Sequence, residues 1–192
     1  MQKKETATFY PKSRKAWRQW LIKNHSSKQS VWLLCYKKET NKPTIGWSEA
    51  VDEALCFGWI DSTRRSVDKE TFVQFFTKRK PKSAWSKINK AKVQRLIEEG
   101  LMTEAGHKSI ATAKQNGCWT ILDDVEELKI PKDLAAAFKN KKGAKGYFLS
   151  LSRSVQKNIL QWLVLAKRPE TRQKRITEIT VLAAQGLKPK QF

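Results

Sequence analysis

Residues that usually carry chemistry are scarce in this sequence. Its 192 residues include only two histidines, His25 and His107, and three cysteines, Cys35, Cys56 and Cys118. No two cysteines stand at a C-x-x-C spacing, and their neighbours are apolar or aromatic, as in Leu34-Cys35-Tyr36 and Leu55-Cys56-Phe57. That pattern argues against a structural zinc site and predicts buried, reduced thiols. A Cys–His nucleophile pair is assembled by a fold rather than by spacing, but no local feature marks one, and both histidines read as surface residues. Long apolar runs are missing as well. A membrane span needs ~20 apolar residues, and the longest candidate, residues 159–166, is interrupted by Gln161. The basic start, MQKKETATFYPK, has no apolar segment behind it, so no secretory signal is expected and the expected location is cytoplasmic. Negative charge is short too: 18 Asp and Glu stand against 39 Lys and Arg, a net charge of +21 at pH 7.

What the chain does contain is bulk. Apolar residues make up 40% and aromatics 10%, with eight Trp, which is enough for a core and excludes a disordered polycation. The length suits one domain, or one domain with a packed extension. Ser13 is placed to cap a helix with Trp17, Trp20 and Leu21 on one face, ended by residues 24–27. Residues 31–36 are a short apolar run of β-formers and predict a buried strand. A helix capped by Ser48 follows, with Val51, Ala54 and Leu55 inward and Gly58 as its stop. Residues 59–65 and 71–77 read as the arms of a hairpin around Asp68. Strict alternation places Ile60, Ser62 and Arg64 on one face of the first arm and Trp59, Asp61, Thr63 and Arg65 on the other. With polar groups on both faces, this arm reads as an edge or the floor of a site.

Beyond residue 82 the pattern is helical. Ser83 is placed to cap a helix with Ile88, Val93, Leu96 and Ile97 in one stripe, stopped by Gly100. Thr103 caps the next, which ends near residues 116–117. An acidic loop follows through Asp123, Asp124, Glu126 and Glu127, then a short helix from Pro131 through Leu134 and Phe138. Residues 139–146 read as a basic surface loop, and helices are expected over 152–166 and 169–184. The expected fold class is α+β: a small antiparallel or mixed sheet with a hairpin in the N-terminal half, and a helical C-terminal half. The expected division is an α+β domain over 1–117 with a helical extension over 118–192 packed on it, or one single domain 1–192, because no flexible linker marks a boundary.

The densest run of unusual residues comprises ALCFGWIDSTRR at 54–65 and FFTKRKPKSAWSKIN at 75–89. Together with VQRLIEEGLMTEAGHKSIATAKQNGCW at 93–119 and AKRPETRQKRI at 166–176, these strings resemble the YdeI/OmpD-associated family, also called the bacteriocin-protection family. The resemblance implies a bacterial cytoplasmic α+β protein linked to tolerance of bacteriocins or cationic antimicrobial peptides, and to association with an outer-membrane porin. It implies no reaction, cofactor or catalytic residue. At the family's G-R-W-like position this chain has Gly117-Cys118-Trp119, so any contribution of a basic side chain there is missing.

Trp59, Asp61, Arg64, Trp85, Lys87 and Asn89 would form a mixed cleft if the hairpin packed on the helix near Ser83. The indoles would offer stacking surfaces, Arg64 and Lys87 the positive charge for an anion, and Asp61 a partner for Arg64 or for the ligand. The plainer alternative makes both Trp core, pairs Asp61 with a nearby Arg and has Asn89 cap or bridge. Lys78, Arg79, Lys80 and Lys82 form the most concentrated positive segment. It suits phosphate contact, or is a solvated connector. Lys167, Arg168, Arg172, Lys174 and Arg175 read mainly as a solvated face, with Glu170 and Glu178 at pairing distance along a helix.

Three functions stay open. The first is a non-enzymatic stress-tolerance protein that binds an anionic small molecule or an acidic protein partner. The second is non-specific nucleic-acid binding, suggested by the charge and by aromatics interleaved with Lys and Arg, though no helix-turn-helix, zinc-finger, RRM or KH signature is readable. The third is an enzyme on a small anionic substrate, for which no nucleophile–base pair, metal-ligand set or Walker-spaced glycine loop is present. No cofactor is expected.

Overall fold

The computed structural model describes residues 7–192, in two units, one ending at Trp119 and the other running from Thr120 to Phe192. Half of the basic start that argued against a secretory signal, residues 1–6, lies outside the described residues.

The N-terminal unit is built on a four-stranded mixed sheet of order β1-β2-β4-β3, with β1 Thr8–Phe9, β2 Ser30–Tyr36, β3 Trp59–Ser66 and β4 Thr71–Lys78. β1 runs parallel to β2, while β2, β4 and β3 are antiparallel neighbours. The two-residue β1 is too short to leave a period in the sequence. Among the described residues, four α-helices and a short 3-10 helix at Lys38–Thr40 complete the unit: α1 Arg14–Asn24, α2 Trp47–Cys56, α3 Lys87–Glu98 and α4 Glu104–Gln115. Ser13 caps α1 as its position predicts, its hydroxyl accepting from the Ala16 N–H at 3.2 Å.

Register decides what the sheet buries. Val31, Leu33 and Cys35 of β2 share one face with Gln74 and Phe76 of β4 and with Trp59 of β3. All six are buried, and the apolar ones join Trp17 and Leu21 of α1 and Val51, Ala54 and Leu55 of α2 in one core. Each buried Val, Leu or Phe among them contributes roughly 1.5–3 kcal/mol relative to exposure. The simple alternation expected for the first hairpin arm fails at a bulge. Asp61 pairs with Phe76 and Arg64 with Gln74, so three steps along β3 match two along β4. The extra residue turns Arg64 onto the same face as Asp61, not the opposite one.

Two caps and one stripe also differ from expectation. α2 begins one residue before Ser48: Gly46 is its N-cap, and Glu49 reaches back to accept from the Gly46 N–H at 3.0 Å. Ser48 instead meets Lys92 Nζ at 2.7 Å. Ser86, not Ser83, caps α3, accepting from the Asn89 N–H at 3.3 Å. Val93 and Leu96 of α3 are buried, whereas Ile88 is 67% exposed. Five residues before Val93, it lies about 140° around the helix, on the outer face.

The least legible feature of α2 is a pair of buried acids. Glu53 accepts from Arg14 Nε at 2.6 Å and Arg18 Nη1 at 2.7 Å, both on α1. Its neighbour Asp52 takes Lys92 and Arg95 of α3, each at 2.5 Å. Adjacent helical positions point about 100° apart, so two consecutive carboxylates tie α2 to two different helices.

The second unit contains α5 Asp123–Glu126, α6 Lys132–Lys139, α7 Ala144–Ser150, α8 Arg153–Val164 and α9 Pro169–Ala184. Its buried set includes Leu134, Phe138, Phe148, Ile159, Leu160, Leu163, Ile176 and Ile179. The acidic segment is a helical turn rather than a loop, because Val125 is pulled inside and Glu126 accepts from Lys157 Nζ at 2.6 Å. The basic segment 139–146 is likewise not all loop: Ala144 is fully buried and opens α7, while Lys139, Lys141, Lys142 and Lys145 stay exposed. Arg172 pairs with Asp133 at 2.6 Å rather than with Glu170 or Glu178, and this contact holds the Asp133 carboxyl below its usual range. Among the described residues, no helix is long and apolar enough to cross a membrane.

Cys35 and Cys56 are buried free thiols, as their neighbours predict. Burial pushes each up to about 11, because a thiolate loses its hydration there. The fold therefore favours the neutral thiols: this contribution is complete below pH ~9 and is lost as pH rises through ~11. Titration of the native protein with a bulky disulfide reagent at pH 8 should modify half-buried Cys118 first, and the other two only on unfolding. Rapid native reaction of Cys35 or Cys56 would refute their placement.

Candidate functional site

The corner where α2 turns into β3 organises a basic opening of the N-terminal unit. Phe57 ends the helix, and Gly58 makes the turn at φ +69, a left-handed conformation that glycine adopts at little cost. A side chain there would also stand 2.9 Å from the Ala105 carbonyl oxygen. α4 comes this close because it docks by its backbone. The Thr103 N–H and hydroxyl both donate to the Cys56 carbonyl, at 3.1 and 2.7 Å. The expected cap thus serves the end of α2 rather than the start of α4, satisfying a carbonyl that the helix terminus leaves unpaired.

The same corner receives the end of β4. The Arg79 N–H donates to the Gly58 carbonyl at 2.9 Å, and Lys78 Nζ donates to the Ser26 carbonyl at 2.6 Å. Between these segments and α4 lies a pocket of about 470 Å³. His25, Phe57, Gly58, Lys78, Arg79 and Pro81 line one side, and Lys108, Ser109 and Thr112 of α4 the other. A neighbouring depression of about 450 Å³ shares His25, Phe57, Ala105 and Lys108 and reaches Thr103 and Glu104. Three cations and no carboxylate line the first pocket.

Arg79 is the unusual group. Its guanidinium lies 3.7 Å from the centre of the Trp85 ring, and Nη2 donates to the Ala84 carbonyl at 2.5 Å. Nε and Nη1 are buried without an acceptor among the described residues. Burial pushes the Arg79 pKa down to about 10, with only partial relief from Asp61, so the group is still charged at neutral pH. Buried charged donors without partners are costly, and an anion that reached them would supply the missing acceptor.

Of the residues read from sequence as phosphate contacts, Lys78 and Arg79 line this pocket, while Lys80 and Lys82 are exposed and do not. The residues read from sequence as a mixed cleft have the following surroundings. Trp59 is fully buried, and its indole N–H donates to the His25 carbonyl at 3.3 Å. Trp85 is 2% exposed, closed between Arg79 and Trp119. Asp61 accepts from Trp47 Nε1 at 2.9 Å and Gln74 Nε2 at 3.3 Å. Arg64 lies 3.7 Å over the Phe72 ring. Lys87 and Asn89 sit in the first turn of α3, Lys87 exposed and Asn89 half-buried. Sequence reasoning missed Lys108, Ser109 and Gly58 as lining groups. Gly106, a poor helix former in the first turn of α4, was the available signal that this helix approaches another backbone closely.

The C-terminal unit has a larger opening, about 1110 Å³, along α9. Its lining mixes Glu170 and Glu178 with Lys174 and Lys190, so it lacks the single-sign charge of the pocket beside α4.

A family model described as "Domain of unknown function (DUF8412)" matches residues 9–109. Another, described as "Bacteriocin-protection, YdeI or OmpD-Associated", matches residues 127–186. No curated protein and no solved structure matches the chain. The bacteriocin-protection likeness therefore rests on the C-terminal stretch. Of the strings that suggested it, only AKRPETRQKRI falls inside that match, and Gly117-Cys118-Trp119 falls in neither.

Proposed function

We propose that this chain, which belongs to the DUF8412 family and carries a bacteriocin-protection segment over residues 127–186, is a cytoplasmic, non-enzymatic stress-tolerance protein whose N-terminal unit binds a small phosphate-bearing ligand. The bacteriocin-protection match supports the class of function. The observation that carries the ligand is Arg79: a charged side chain with two buried donors unpaired, on a pocket where Lys78 and Lys108 add charge of the same sign. The volume lies within the ~300–1,000 Å³ of small-molecule sites. The free thiols of Cys35 and Cys56 suit a reducing compartment.

Calorimetry and thermal shift with inorganic phosphate, a sugar phosphate and a nucleoside monophosphate test this reading. At least one should raise the melting temperature of the wild type. Lys108→Ala, on an exposed side chain of α4, should weaken that ligand by about ten-fold, and Arg79→Gln by ten- to a hundred-fold, the size of one charge-assisted contact. If no phosphate compound stabilises the wild type, or Lys108→Ala leaves affinity unchanged, the pocket is not the site.

A further inference from the structure

The face of the sheet turned away from the core is an aromatic platform. Pairing of β2 with β4 and of β4 with β3 places Trp32, Leu34 and Tyr36 on one surface with Val73, Phe75, Ile60 and Arg65. The apolar members are all half-buried and keep part of their area in solvent, and Arg65 is exposed, whereas the alternate residues Val31, Leu33, Cys35 and Phe76 are closed in the core. Trp32 and Phe75 lie side by side with ring centres 4.7 Å apart. Arg65 lies 4.9 Å from the Trp32 ring, and Lys42 lies 4.8 Å from the Tyr36 ring while also pairing with Glu70 at 2.6 Å. No strand position on this face carries Asp or Glu.

An apolar patch left on a highly charged protein marks a contact surface, and its chemistry selects the partner. Cations that already stack on the rings, Arg65 on Trp32 and Lys42, beside Glu70, on Tyr36, suit a polyanion with flat apolar groups. Sheet faces of this composition bind unpaired bases, because every base has a π-face and the backbone follows the basic rim. A duplex hides its bases and leaves the rings without a role. We infer that this open face binds single-stranded nucleic acid, with bases stacked on the Trp32–Phe75 pair and on Tyr36, and phosphates held by Arg65 and Lys42. This surface shares no residue with the phosphate pocket beside α4, and its test is independent of that reading.

The test is fluorescence anisotropy of the full chain with labelled 20-nucleotide dT and U strands and a 20-base-pair duplex, at two salt concentrations. Single strands should bind at least ten-fold tighter than the duplex at the higher salt. Trp32→Leu and Phe75→Leu should each cost about ten-fold on the single strand, with the salt slope and the duplex affinity unchanged. Arg65→Ala, which touches no packing in the core, should weaken single-strand binding and reduce the salt slope by about 0.7. Lys108→Ala should leave all of this unchanged. Equal affinity for duplex and single strand, together with no response to Trp32→Leu or Arg65→Ala, would reduce binding to net charge and overturn the inference. A wild-type dimer that Phe75→Leu converts to monomer would overturn it in favour of self-association.

Discussion

Replacing Glu53 by alanine should lower the stability of the N-terminal unit by about 3 kcal/mol, read as a shift of the urea midpoint at unchanged slope. The carboxylate is 2% exposed and accepts from both Arg14 and Arg18. Removing one partner from a buried ion pair typically costs about 3–5 kcal/mol, because the remaining charge is left uncompensated. Here the lower end applies. The side chains of Arg14 and Arg18 are 37% and 29% exposed, so each guanidinium recovers some hydration. Arg18 also has a second anchor, with Nη2 donating to the Leu101 carbonyl at 2.8 Å. Glu53→Gln, which keeps the shape and one acceptor, should cost less than half as much. Removing the exposed Lys42–Glu70 pair on the hairpin should change the midpoint by less than the error of the measurement. A Glu53→Ala effect no larger than that of the hairpin pair would show that the acid does not hold α1 to α2.

That pair also shows where sequence reasoning stops. Elements with a local signal were legible: β2 from its run of β-formers, α1 from Ser13 and its tryptophans, and the hairpin from its charged turn. The α+β class followed from these alone. What failed depends on partners distant in the chain. Asp52 and Glu53 look like solvated charges until α1 and α3 arrive on either side. Ser83 and Ser86 are equally good caps by composition, and the contacts of Trp85 with Arg79 and Trp119 are what delay the helix to the second serine. The bulge between Asp61 and Arg64 has no glycine to announce it, yet it reverses the face of every later side chain on the strand. The site was half legible for the same reason. Lys78 and Arg79 stood out as a charge run, whereas Lys108 joins them only because α4 is folded back onto the end of α2.

Gly106→Ala tests that last step. In an isolated helix the change should stabilise by about 0.8–1 kcal/mol, since alanine is the better helix former. In α4 the expected sign is the opposite. A Cβ at residue 106 would stand 2.3 Å from the Cys56 carbonyl oxygen and 2.9 Å from its carbon, both backbone atoms that cannot swing aside. Overpacking of a close contact costs roughly 1–3 kcal/mol, and a clash with backbone belongs at the upper end, so after the propensity gain a net loss of about 2 kcal/mol is expected. The relaxation must lift α4 off the end of α2, stretching both Thr103 bonds to the Cys56 carbonyl and moving Lys108 and Ser109 away from Lys78 and Arg79. Phosphate affinity should fall with stability, in the fraction of protein that stays folded. Gly146→Ala in α7 is the control, because nothing lies within 4 Å of the added carbon, and it should be neutral or stabilising. If Gly106→Ala behaves like Gly146→Ala, α4 is not seated by backbone contact and the pocket it walls is not preformed.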